Sequence, residues 1–203
     1  MPPDDWMKKY TGYLKDVEGS VTKKDVSSGE KKHVPYQDVS GNWTIGYGKL
    51  ISKNDLGEKG RLETKKVSWS KKPINIWVGG TSWSEVEAEK ALKDSAELSL
   101  NQAERYAVNR GFDWGKISDR QKHGLADFMY NLGPTKMNAG TFKNTIGMYL
   151  SGKDVVTKGF HKRYSGKVEL EDRNKKWKEL FGGLPEDVAM GNMLQQDNPL
   201  GVK

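Results

Sequence analysis

The sequence has no cysteine among its 203 residues. That excludes a disulfide scaffold, thiol catalysis and thiolate metal sites. Histidine is nearly as scarce: His33, His123 and His161 lie far apart and lack ligand spacing, so no metal site is expected. No apolar run approaches the roughly 18 residues of a membrane span, and the first ten residues lack the apolar core of a signal peptide. Leu, Ile, Val and Phe together make up under a fifth of the chain. With a positive net charge, that poverty leans toward disorder. What is present argues the other way. Seven Trp, eight Tyr and five Phe are spread along the sequence, and each buries a large apolar area. The composition describes a folded protein with small cores, long polar loops and a broad solvated surface.

The formal charge is +7, divided between +9 up to residue 181 and −2 from residue 182 onward. A basic body favours polyanionic partners: nucleic acid, an anionic membrane or a bacterial wall. No helix-turn-helix, zinc-finger or RNA-binding signature accompanies the charge, so no specific nucleic-acid partner is expected. Gly46-Tyr47-Gly48-Lys49 lacks the remaining positions of a phosphate loop or a dinucleotide fingerprint and reads as a tight turn.

Apolar spacing predicts a helix over residues 6–17, ended by Gly19. Residues 20–35 are polar and turn-rich, an extended loop or loose hairpin. Trp43-Thr44-Ile45 reads as a strand before a glycine turn, and residues 53–81 read as irregular and basic. Trp69, Trp77 and Trp83 cluster before the next helix; capping a small core is the favoured reading over stacking on sugars or bases. Ser84-Glu85-Val86-Glu87 is a capping box that opens a long helix over 85–109. Ser118-Asp119-Arg120-Gln121 is a second one. The helix after it aligns Leu125, Phe128, Met129 and Leu132 and is expected to stop at Gly133-Pro134. Two more helices fit residues 142–150 and 169–181, and a tail without regular structure is expected beyond. The fold class is α+β, mainly α. Its expected parts are a small lobe with a helix and β-hairpin (1–81), a long inter-lobe helix (82–110), a helical C-terminal lobe (111–181) and the tail (182–203).

The chemistry-bearing constellation is Glu18 at a helix end, Asp38, and Thr44 six residues further in a strand. Glycoside hydrolysis commonly uses two carboxyl groups, one donating a proton to the leaving oxygen and one activating water or stabilising the cationic transition state. A threonine hydroxyl beside them can hold that water. Among 27 acidic residues, spacing alone leaves a plain reading open, with Glu18 a helix-end charge and Asp38 a turn residue.

Asp38-Val39-Ser40-Gly41-Asn42-Trp43-Thr44-Ile45-Gly46-Tyr47-Gly48 resembles the catalytic hairpin of the phage-type lysozymes, glycoside hydrolase family twenty-four. The resemblance extends to Leu14 and Glu18-Gly19, to the capped helix from Ser84, to Gln121, Leu125, Phe128, Tyr130, Asn131 and Gly133, and to Thr145-Ile146 and Arg173. It implies a two-lobed, lysozyme-like fold with a sugar cleft between the lobes. It also implies a muramidase that needs no cofactor and cleaves the β-1,4 bond between N-acetylmuramic acid and N-acetylglucosamine with inversion. By resemblance Glu18 is the general acid, Asp38 the second carboxylate and Thr44 the water-holding hydroxyl. Tyr47, Gly48, Leu50, Tyr130, Asn131, Thr145 and Arg173 match substrate-side positions. The implied partner is bacterial peptidoglycan and the implied state a monomer. The implied setting is phage-encoded lysis, with the protein made in a host cytoplasm or carried on a virion and acting on the wall. The alternatives are a non-catalytic wall-binding module and a lytic transglycosylase. Three departures stand out. Nineteen residues separate Glu18 from Asp38, more than the family pattern has. Lys49 stands where many members have a histidine that acts as a structural partner, and Asn174 where a second arginine is common.

Overall fold

The computed structural model describes residues 3–25, 28–38, 40–68, 70, 72–138, 143–153 and 171–182. The expected tail from residue 183, Trp69, His161 and the first residues of the helices expected at 142 and 169 lie outside them. The chain forms two compact units, residues 7–98 and residues 1–6 with 99–203.

The unit of residues 7–98 begins within helix α1 (Pro3–Glu18). Tyr10, Tyr13 and Leu14 recur at helical spacing and are buried. The polar segment that follows is a two-stranded antiparallel hairpin, β1 (Thr22–Lys24) with β2 (Lys31–His33). Beyond it lie β3 (Tyr36–Gln37), β4 (Trp43–Ile45), β5 (Lys49–Leu50), β6 (Arg61–Lys65) and β7 (Ile74–Val78). They form an antiparallel sheet in the order β5-β4-β3-β7-β6. The stretch expected to be irregular therefore supplies the two longest strands, paired from Arg61↔Val78 to Lys65↔Ile74. β6 hid in the sequence because it is an edge strand with mostly charged and exposed residues, a common way of protecting a sheet edge.

Val21, Val34, Tyr36, Ile74 and Ile76 make the core under this sheet. On the sheet's other face Trp43 and Trp77 meet edge to face at 6.3 Å. Trp77 Nε1 donates to the Gly57 carbonyl at 3.2 Å, and a Cβ on Gly60 would lie 1.8 Å from that nitrogen. Only glycine lets the backbone approach the indole so closely, and Trp77 sits half-buried against the sheet.

Helix α2 (Glu85–Val108) opens with the expected box: Glu87 Oε2 accepts from the Ser84 N–H at 2.8 Å, and Ser84 Oγ accepts from the Glu87 N–H at 3.3 Å. It continues from the first unit into the second. In the second unit, Ser118 and Gln121 form the other box, ahead of α3 (Asp119–Asn138). Here the structure departs from expectation. The chain breaks at Gly133 (φ 72°, ψ 162°), but helix resumes through Pro134 to Asn138. Proline suits a first helical turn, where its missing N–H costs nothing. Helices α4 (Lys143–Leu150) and α5 (Glu171–Phe181) follow. Trp177 is the hub of this core, with ring centroids 5.3 Å from Phe128, 5.5 Å from Tyr149 and 6.0 Å from Phe181.

Candidate active site

Glu18 is the last residue of α1 and is half-buried. Against it lies Gly48, in the turn between β4 and β5. Gly48 has φ +83°, and a Cβ there would sit 2.9 Å from Glu18 Oε2. The glycine thus meets two demands at once: a left-handed backbone and contact of bare main chain with the carboxylate. The hairpin is laid directly on the candidate acid.

Asp38 follows β3 and closes the turn into β4. Its Oδ1 accepts from the N–H groups of Ser40 and Asn42, both at 2.8 Å, and Oδ2 accepts from Asn42 Nδ2 at 3.2 Å. The Asp38 N–H in turn donates to the Asn42 carbonyl at 2.9 Å. This side-chain-to-backbone turn fixes the carboxylate. Thr44 lies opposite Tyr36 in the ladder and is 3% exposed. Its hydroxyl donates to the Tyr36 carbonyl at 3.3 Å.

Tyr36 is the residue that sequence reasoning missed. Its ring is buried in the sheet core. Burial pushes its phenol above the ordinary range; a hydrogen bond with Thr44 opposes the shift, and the charges of Glu18 and Asp38 add to it. All three groups of the proposed chemistry therefore act on this phenol. No local signal marks it, because its part depends on the ladder that sets it opposite Thr44.

Glu85, on the first turn of α2, gathers side chains from three other segments. Tyr47 and Lys15 both donate to Oε1, Lys15 at 3.4 Å, and His33 Nε2 lies 2.8 Å from Oε2. Lys15 also reaches Glu89. Burial raises the Glu85 carboxyl, but the hydrogen bonds from Tyr47 and His33 outweigh it, and the net shift is downward. Burial and the bond to Glu85 push the Tyr47 phenol up to about 12. Lys49, at the position of the family's histidine, is exposed. His33 makes a contact between elements instead. It is 1% exposed, and its backbone exchanges hydrogen bonds with Trp83 at 2.7 and 2.9 Å. The added segment therefore ties itself to α2.

Leu50 stands on the exposed edge strand opposite Thr44, 63% accessible. In the other unit, Tyr130, Asn131 and Thr145 are half-buried on α3 and α4. Arg173 on α5 is buried, its guanidinium donating to Asp127 Oδ1 at 2.6 Å. The structure thus brings Glu18, Gly48, Asp38 and Thr44 to one sheet and helix end, and places Arg173 in an ion pair of its own unit.

The family model for phage lysozyme matches residues 28–149, well over half of the chain. The chain belongs to the phage lysozyme family. The matched span includes Asp38, Thr44, Gly48 and Asn131, while Glu18 and Arg173 lie outside it. The case for Glu18 rests on the geometry that sets it against Gly48. No curated sequence matches the chain. Among solved structures, the chain is similar to the "Muramidase domain of SpmX from Asticaccaulis excentricus", with 14% identity and a TM-score of 0.51, over 86% of this chain and 95% of that one. That likeness shows a shared fold. As a phage lysozyme, the protein is a peptidoglycan hydrolase. Among the described residues, no helix is long and apolar enough to cross a membrane.

Proposed function

We propose that this phage lysozyme is catalytically competent and cleaves the muramyl β-1,4 bond with inversion. Glu18 gives its proton to the leaving oxygen. Asp38 draws a proton from water held at the Thr44 hydroxyl, and that water attacks the anomeric carbon from the opposite face. The observation that carries the reading is the seating of Gly48 on the Glu18 carboxylate, on the same hairpin that bears Asp38 and Thr44. A hairpin so placed presents one carboxyl group held by backbone donors and another held by contact with glycine.

Tyr47, Leu50, Tyr130, Asn131 and Thr145 are proposed substrate-side residues on the strength of the resemblance, whereas Arg173, which the resemblance also implies, is buried against Asp127. The protein works as a monomer on the wall, reached from a host cytoplasm or from a virion. The basic body steers it there, so lysis falls as salt rises.

The test is product analysis with wild type and Asp38→Asn. Hydrolysis leaves a reducing muramic end carrying the elements of water, released first as the α-anomer. A transglycosylase leaves an anhydro-muramic end and keeps its rate without Asp38. Anhydro products, or an Asp38→Asn variant of unchanged rate, overturn the inverting assignment.

A further inference from the structure

The contact with the Glu18 carboxylate is made by Gly48, a residue with no side chain of its own to hold it in place. The hairpin around it is short. β4 and β5 share two ladder pairs, Thr44↔Leu50 and Ile45↔Lys49, and both residues of β5 are exposed. A two-stranded ribbon of that length is marginal by itself in water. Its placement therefore depends on what the turn touches.

The turn meets the start of α2 at two successive residues. A Cβ on Gly46 would lie 3.2 Å from Trp83 and from Ala88. Tyr47, between Gly46 and Gly48, donates its hydroxyl to Glu85 Oε1. The same oxygen accepts from Lys15 Nζ at 3.4 Å, and that ammonium stands 5.2 Å from the centroid of the Tyr47 ring. Lys15 precedes Glu18 by three residues on α1, a spacing that makes the two neighbours on the helix surface. The other oxygen of Glu85 lies 2.8 Å from His33 Nε2, on the added segment. Backbone bonds to Trp83 fix His33 in turn. One carboxylate thus joins the residue beside Gly48 to a residue one helical turn from Glu18.

The cluster adds little to stability. The Lys15–Glu85 pair is partly exposed on both sides, and such pairs contribute about 1 kcal/mol or less. A phenol donating to a carboxylate is, however, a short and directional bond, so what the cluster fixes is geometry. We propose that Glu85 is a positioning residue for the acid: through Tyr47 and Lys15 it clamps the hairpin turn to the last turn of α1 and sets the seat of Gly48 on Glu18, with His33 aiming the carboxylate. The proposal rests on the reading of Glu18 as the acid. It also gives the added segment between Glu18 and Asp38 a use, as the support of the clamp.

The experiment compares the intact protein with Glu85→Ala, Glu85→Gln and Tyr47→Phe, by steady-state kinetics on soluble uncrosslinked peptidoglycan strands and by 15N relaxation of the backbone at Gly48. Relaxation is read without substrate, so that arm decides the clamp whether or not Glu18 is the acid. Expected for Glu85→Ala are a kcat lower by about tenfold, an unchanged KM and a more mobile Gly48. Glu85→Gln keeps an oxygen for the Tyr47 hydroxyl and should recover most of the loss. Tyr47→Phe removes one hydroxyl and should move kcat and Gly48 in the same direction as Glu85→Ala, which keeps the test decisive should the alanine variant fold poorly. An unchanged kcat in Tyr47→Phe, a rise in KM alone, which would make Tyr47 only a sugar contact, or a Gly48 as ordered in the variants as in wild type overturns the proposal.

Discussion

The two units are held by different chemistry. The helical one is an aromatic cluster around Trp177, closed by the Arg173–Asp127 pair, in which Asp127 is fully buried. The sheet-bearing one has an apolar core of its own, from Val21 to Ile76, and adds polar joints between short strands and helix ends, above all the half-exposed carboxylate of Glu85. The difference teaches that stability and chemistry are separable here. Damage to the buried core of the helical unit should register as unfolding. Damage to the hairpin and helix end of the sheet unit should register mainly as lost activity.

The sharpest way to break the comparison is Asp127→Ala. Removing one partner of a buried ion pair costs about 3–5 kcal/mol, so a large drop in melting temperature is expected. A double change, Asp127→Leu with Arg173→Met, should recover most of it, because an apolar pair needs no desolvation. Full retention of stability by Asp127→Ala would remove the contrast. Next comes Gly48→Ala. A Cβ there meets Glu18 at 2.9 Å and carries a strained φ. Misplacement of a catalytic group by about 1 Å can cost about a hundredfold in rate, so wall lysis should fall far more than stability does.

Much of this is legible in the sequence. Ser84 with Glu87 and Ser118 with Gln121 mark two helix starts by local hydrogen bonds, which sequence spacing captures. The hairpin from Asp38 to Gly48 carries its turn chemistry in its residues. What was hidden depends on distant partners. β6 is polar because its side chains face solvent, so its strand character appears only when β7 pairs with it. His33 meets Glu85 fifty-two positions away. Tyr36 matters through its register with Thr44. Asp127 alone gave a hint, a carboxylate inside the apolar run from Leu125 to Met129 that calls for a buried cation.

Smaller effects sharpen the contrast. Tyr36→Phe keeps the ring in the core and removes the hydroxyl beside Thr44. The expected result is a several-fold loss of kcat with about 1 kcal/mol lost in stability. Glu85→Gln should cost about 1 kcal/mol or less, since the group is half exposed. Its pH signature is more telling. Glu85 is more acidic in the fold than in the unfolded chain. Its contribution is therefore present above the ordinary carboxylate range and is lost as pH falls through its folded-state value. Melting curves should show a shallower acid decline in Glu85→Gln than in wild type.

The central claim is that Glu18, seated against Gly48, is the acid that breaks the glycan. Clearing of a bacterial wall suspension by wild type and Glu18→Gln, run beside melting curves of both, tests it most directly. The account predicts a loss of lysis of about a hundredfold or more with the melting temperature unchanged. A folded Glu18→Gln protein that clears walls at the wild-type rate would contradict it.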